Sequence, residues 1–184
     1  MYLCVITSLW GLPITFYGSL VGALLSGLTA VGLLWYQIYL KNKEYNFRCY
    51  GTMKIVTSRL APYPQYSDLV KSICNAMEDK PEIKSDLKKQ LENTRTYFEN
   101  TLKFLEDERA NIPYDFISRY YTVTNTLEHV LEGLKRLINE DPSSNFQSLE
   151  KLLNHGVDIN NRFIKNGTDY IKIIEKKYKA RDFY

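Results

Sequence analysis

The sequence predicts an all-α protein: one N-terminal transmembrane helix followed by a cytoplasmic antiparallel helical bundle. Three observations carry that expectation. From Pro13 to Leu34 the chain reads PITFYGSLVGALLSGLTAVGLL, without one charged side chain. Beyond Ser67, apolar residues recur at spacings of three and four, the period of a single helical face. No stretch alternates polar and apolar residues as a half-buried strand does.

The first element is the span. At 1.5 Å per residue, a run of roughly 22 residues covers about 33 Å, enough to cross a hydrocarbon core about 30 Å thick. Water is absent at that depth, so the segment must satisfy its own backbone as a helix. Trp10 and Tyr17 lie at one end and Trp35, Tyr36 and Tyr39 at the other, where amphipathic rings meet headgroups. Pro13 suits a first helical turn. All of the 24 Lys and Arg and 21 Asp and Glu residues follow Leu40. Residues 41–60 carry Lys41, Lys43, Arg48, Lys54 and Arg59 against Glu44 alone. The positive-inside rule then puts the C-terminal part in the cytoplasm and the N-terminus outside a cell inner membrane, with another organelle as the alternative address. A cleaved signal peptide fits poorly, for want of a basic n-region and because the apolar run is too long.

The span has two sides. Turning 100° per residue, Thr15, Ser19, Gly22, Ser26, Thr29 and Gln37 fall within an arc of about 100°, with Leu20, Leu24, Leu28 and Val31 opposite. Gly18, Gly22, Ser26 and Ala30 also repeat every four residues, the spacing that lets membrane helices approach closely. Leu33 is the one bulky aliphatic residue on the stripe. A lone helix in lipid gains nothing from such a face, so self-association is expected. Two arrangements satisfy it: a packing seam, or several copies around an axis, with the hydroxyls and Gln37 lining a polar path and Leu33 as a hydrophobic constriction.

Past Leu40 no breaker occurs until Gly51, so a basic stalk is expected as far as the turn at Leu60-Ala61-Pro62-Tyr63-Pro64. The expected organisation is therefore 1–40 as N-terminal segment and span, 41–65 as stalk and Pro-rich turn, and 66–184 as bundle. Ser67 is the expected cap of a short helix bearing Leu69, Val70, Ile73, Cys74 and Met77. Pro81 opens a helix with Ile83, Leu87, Leu91, Thr94, Phe98, Leu102 and Leu105 on one stripe, to about Arg109. After Ile112-Pro113 the next helix presents Ile117, Tyr120, Thr124, Leu127, Leu131, Leu134 and Ile138, and stops at Asp141-Pro142. Ser143 or Ser144 caps the last, with Phe146, Leu149, Leu153, Val157, Phe163, Tyr170, Ile174 and Tyr178 inward. Gly156 and Gly167 weaken it by about 1 kcal/mol each and are expected to mark bends.

Catalytic constellations are scarce. The two histidines, His129 and His155, have no histidine four residues away, and His129 between Glu128 and Glu132 reads as a surface residue. Neither GxGxxG nor GxxxxGK[ST] occurs. Cys4, Cys49 and Cys74 have no metal spacing and read as reduced cytosolic thiols. No enzyme activity, metal or cofactor is expected. Charge is concentrated at the C-terminal end. Arg162, Lys165, Lys172, Lys176, Lys177, Lys179 and Arg181 are interleaved there with Phe163, Tyr170, Tyr178 and Tyr184. Basic groups beside rings suit an anionic ligand such as an oligonucleotide, while the simpler account is a solvated helix or contact with anionic lipid.

The layout of one Gly/Ser-rich N-terminal span, carried by GSLVGALLSGLTAVG from Gly18 to Gly32, before a small helical domain resembles compact membrane effectors of bacterial anti-phage defence operons, including Hailong-type systems paired with a nucleotidyltransferase. The resemblance implies an oligomer, with a tetramer favoured, and a channel held shut by an oligonucleotide. It would place ligand contact on the Arg162–Arg181 region, with Arg162, Lys165, Tyr170, Lys172, Lys176 and Lys177 as the candidates. The reading from another class is a membrane-tethered adaptor or scaffold docking a cytosolic partner; an inhibitor or immunity protein is a third.

Overall fold

The computed structural model describes residues 8–9, 12–79, 84–139 and 142–178. Trp10, Pro81, Ile83, Lys179, Arg181, Tyr184 and Cys4 lie outside them. Two-residue strands β1 (Ser8–Leu9) and β2 (Leu12–Pro13) pair antiparallel, so Pro13 closes a tight ladder and the helix starts one residue later. Five α-helices follow: α1 (Ile14–Leu60), α2 (Tyr63–Asp79), α3 (Lys84–Glu108), α4 (Ile117–Asn139) and α5 (Pro142–Tyr178). Among the described residues the fold is all-helical apart from the short ladder, and the N-terminal helix is long and apolar enough to cross a membrane.

Two compact units divide the chain between Tyr45 and Asn46. The boundary expected at the Pro-rich turn is therefore displaced, and Asn46–Leu60 is no stalk. Its pattern explains why. Cys49, Met53, Val56 and Leu60 recur at spacings of four, three and four and are fully buried, while Lys54 and Arg59 stay exposed. Charge dominates this stretch in one dimension, and the apolar stripe decides it in three.

Chain breakers act where the sequence puts them. Ala61 donates to the Thr57 carbonyl at 3.1 Å, closing α1 before Pro62. Tyr63 then starts α2, with Pro64 in the first turn, where a missing N–H costs nothing. Ser67, expected as a cap, is instead buried one turn inside α2, and Leu69 stays exposed. Two 3-10 turns, Arg109–Asn111 and Tyr114–Phe116, flank Ile112-Pro113 between α3 and α4. Pro142 itself begins α5, ahead of the serines expected to cap it, whose side chains lie outside the described residues.

Side-chain pairings fix the register of the second unit. Along α4 and α5, Gly133 faces Leu149, Thr126 faces Gly156, Tyr120 meets Phe163 and Phe116 meets Tyr170, so the two helices run antiparallel. Lys135 with Glu99 and Arg109 over Tyr121 give α3 and α4 the same relation. The end of α1 runs opposite α5, with Asn46 donating to Tyr178 (2.7 Å), Tyr50 to Glu175 (2.8 Å) and Asn160 to the Leu60 carbonyl (2.9 Å). Gly156 and Gly167 do not bend α5. A Cβ at Gly156 would collide with the Tyr63 hydroxyl, and one at Gly167 would lie 2.7 Å from the Thr57 methyl and 2.9 Å from the Met53 methyl. These glycines let α2 and α1 come close.

Candidate functional site

In the first unit every side chain from Thr15 to Leu40 is exposed except half-buried Tyr17. Thr15, Gly18, Ser19, Gly22, Ser26, Thr29, Ala30, Leu33 and Gln37 all lie on α1 within that stretch. Three of the hydroxyls are occupied locally: Ser19 donates to the Phe16 carbonyl at 2.9 Å, Ser26 to Gly22 at 2.8 Å and Thr29 to Leu25 at 2.8 Å. A hydroxyl spent on its own helix keeps an acceptor lone pair for a neighbour or an ion. The glycines differ from three of those in the second unit. Added Cβ atoms at Gly18, Gly22, Gly27 and Gly32 would meet nothing within 4 Å, as at Gly51, whereas Gly133, Gly156 and Gly167 each face a side chain.

The second candidate region is on α5. Arg162, Lys165, Lys172 and Lys176 are exposed and share an arc of about 80° at 100° per residue. Lys177 lies off that arc, its ammonium 5.5 Å from the Tyr178 ring. Three of the rings expected to interleave with these charges, Phe163, Tyr170 and Tyr178, turn toward the core. Tyr170 is half-buried against Phe116 (5.4 Å between centroids), Phe163 is buried, and Tyr178 packs on Phe47 at 5.5 Å. Core spacing accounts for this: Phe163, Tyr170, Ile174 and Tyr178 stand on the inward stripe.

Arg162 instead joins a residue from another helix. Together with Arg119 and Thr122 of α4, and Ile159, Phe163 and Asn166 of α5, it lines an open cleft of about 260 Å³. The Arg119 guanidinium sits 5.7 Å from the Phe116 ring, which is itself wedged against Phe163 at 6.1 Å. A wider cleft of about 420 Å³ lies between His129, Glu132, Arg136, Ser148 and Leu149, with His129 exposed and 4.0 Å from Glu132. Among the described residues, no group of three His, Cys, Asp or Glu side chains is placed to hold a metal ion.

Comparison with known proteins returns no matching family, curated relative or solved structure. The site must therefore be judged on its own geometry. Arg119 is the residue that linear reasoning misses. It stands alone between Ser118 and Tyr120, 43 positions from Arg162. The available signal was the hairpin: an antiparallel turn at Asp141-Pro142 sets a residue about 22 before it opposite one about 22 after.

Proposed function

We propose that the chain is an oligomeric single-pass membrane effector whose spans cluster into an ion-permeable pore controlled by its helical bundle, acting in bacterial anti-phage defence. The observation that carries this reading is the bare span: an uncharged stretch of helix, exposed almost throughout, whose Ser and Thr residues fall on one side together with Gly22 and Ala30. An apolar surface of that extent is unstable in water and finds its solvent in lipid. Its unfilled glycine positions suit a neighbouring copy, since close packing is what draws helices together in a bilayer. The basic residues after Leu40 support a cytoplasmic bundle and an N-terminus outside the inner membrane. The role is non-enzymatic, and a nucleotide, an oligonucleotide or a nucleotidyltransferase is the controlling partner. Leu33 is the constriction. Leu33→Ser should raise potassium leakage from expressing cells well above that of the wild-type chain at equal membrane abundance. Unchanged leakage, or a strictly monomeric particle in detergent, would overturn the pore.

A second reading has its own support. Ser19, Ser26 and Thr29 each donate to carbonyls of their own helix, as hydroxyls in a dry packing seam do. On that reading the span is an anchor and dimer seam for an adaptor that docks a cytosolic partner. A dimer that is harmless on overexpression would favour it; a larger ring that is toxic favours the effector.

A further inference from the structure

We propose that the cleft between α4 and α5 at Arg119 and Arg162 is a binding site for a phosphate-bearing anion. Two guanidiniums line one cleft of about 260 Å³, and among the described residues no carboxylate lines it. Asp158 stands four residues before Arg162 on α5, the spacing at which ion pairs form on helix surfaces, and Asp115 stands four before Arg119 in the 3-10 turn that leads into α4. Among the described residues, neither arginine makes an ion pair. Both side chains line the gap between the helices, so an anion seated there meets two positive charges.

The chemistry of the lining favours phosphate. Guanidinium forks match the paired oxygens of a phosphoryl group. Asn166 adds an amide donor and Thr122 a hydroxyl oxygen whose proton goes to the Ser118 carbonyl at 3.0 Å. Ile159 and buried Phe163 supply an apolar wall for the remainder of a small molecule. Part of the site is rigid beforehand, because Arg119 rests on Phe116 and Phe116 is held between Phe163 and Tyr170. That restraint lowers the ordering cost of binding. The inference is independent of the pore: the cleft binds its anion whether or not the spans conduct.

The test is calorimetric titration of inorganic pyrophosphate into the full-length protein in neutral detergent at fixed ionic strength. Arg119→Gln and Arg162→Gln should each weaken binding by about tenfold, the scale of a lost charge-assisted contact. Lys172→Gln and Lys176→Gln remove the same charge from the exposed face of α5 outside the cleft and should leave affinity within about twofold. Arg119→Lys keeps the charge, loses the fork and should fall between. Circular dichroism checks that each variant remains folded. Equal losses in all four Gln variants would reduce the effect to diffuse attraction and overturn the site, as would undetectable binding by the wild-type chain. Repeating the titration in phosphatidylcholine nanodiscs with and without phosphatidic acid identifies the source. Competition by phosphatidic acid that Arg119→Gln abolishes makes the ligand a lipid headgroup; unchanged pyrophosphate affinity makes it a free phosphate compound.

Discussion

Tyr63 and Tyr120 bring two phenol hydroxyls into the core, where neither meets a protein hydrogen-bond partner among the described residues. Burial raises both pKa values above the ordinary 10.0, with Tyr97 adding to the effect at Tyr63 and the carboxylates of Glu106 and Glu108 at Tyr120. The consequence has a definite sign. Above about pH 10 the unfolded chain gives up these protons while the folded chain keeps them, so stability falls as pH rises through that window and is flat below it. Tyr63→Phe and Tyr120→Phe remove unsatisfied groups. Each should hold the urea midpoint at pH 7 or raise stability by up to about 1 kcal/mol. The double variant should lose less stability than wild type between about pH 9 and 11. A fall at neutral pH by more than that amount would reveal a partner for the hydroxyl.

Among the elements, α5 does most of the joining: its successive turns meet α4, α2 and the end of α1. Gly156 sits where it passes Tyr63 of α2 and Thr126 of α4. Gly156→Ala should destabilise the bundle by about 1–3 kcal/mol as an overpacking change, despite the better helix propensity of alanine. Tyr63→Phe in the same chain should recover part of that loss, because the hydroxyl is the atom the new methyl meets first. Thermal melts of the two single variants and the double variant measure this coupling, and strict additivity would mean that the helices do not touch there. Asn160 makes a second join. Its amide satisfies the Leu60 carbonyl, one of the acceptors that a helix end leaves open, from a position 100 residues along the chain.

For the whole molecule, the division at Tyr45/Asn46 makes a claim about what folds alone. A fragment of residues 46–184 should be soluble, helical and cooperatively unfolding. A fragment of residues 66–184, which follows the boundary suggested by the Pro-rich turn, should not. It lacks Cys49, Met53, Val56, Leu60 and Tyr63, all buried. At about 1.5–3 kcal/mol for each large apolar side chain, that loss matches the entire 5–15 kcal/mol stability of an ordinary domain. Equal melting of the two fragments would refute the assignment of the α1 terminus to the core.

Sequence periodicity was enough for the class of the fold and for most of the inward stripes. Leu91, Thr94, Phe98 and Leu105 of α3 and Tyr120, Thr124, Leu127 and Leu134 of α4 are buried where their spacing requires. Those patterns are local, and a helix reports its own apolar face within two turns. By itself the sequence also determined the uncharged span and its one-sided stripe, because every residue involved lies in one helix. Tertiary structure alone decided that Asn46–Leu60 joins the core, that two glycines are contact points, and that Arg119 shares a cleft with Arg162. Each of these depends on which residue of a distant helix stands opposite. That register is set by how whole side chains interlock, a relation between segments that spacing within any one of them does not contain.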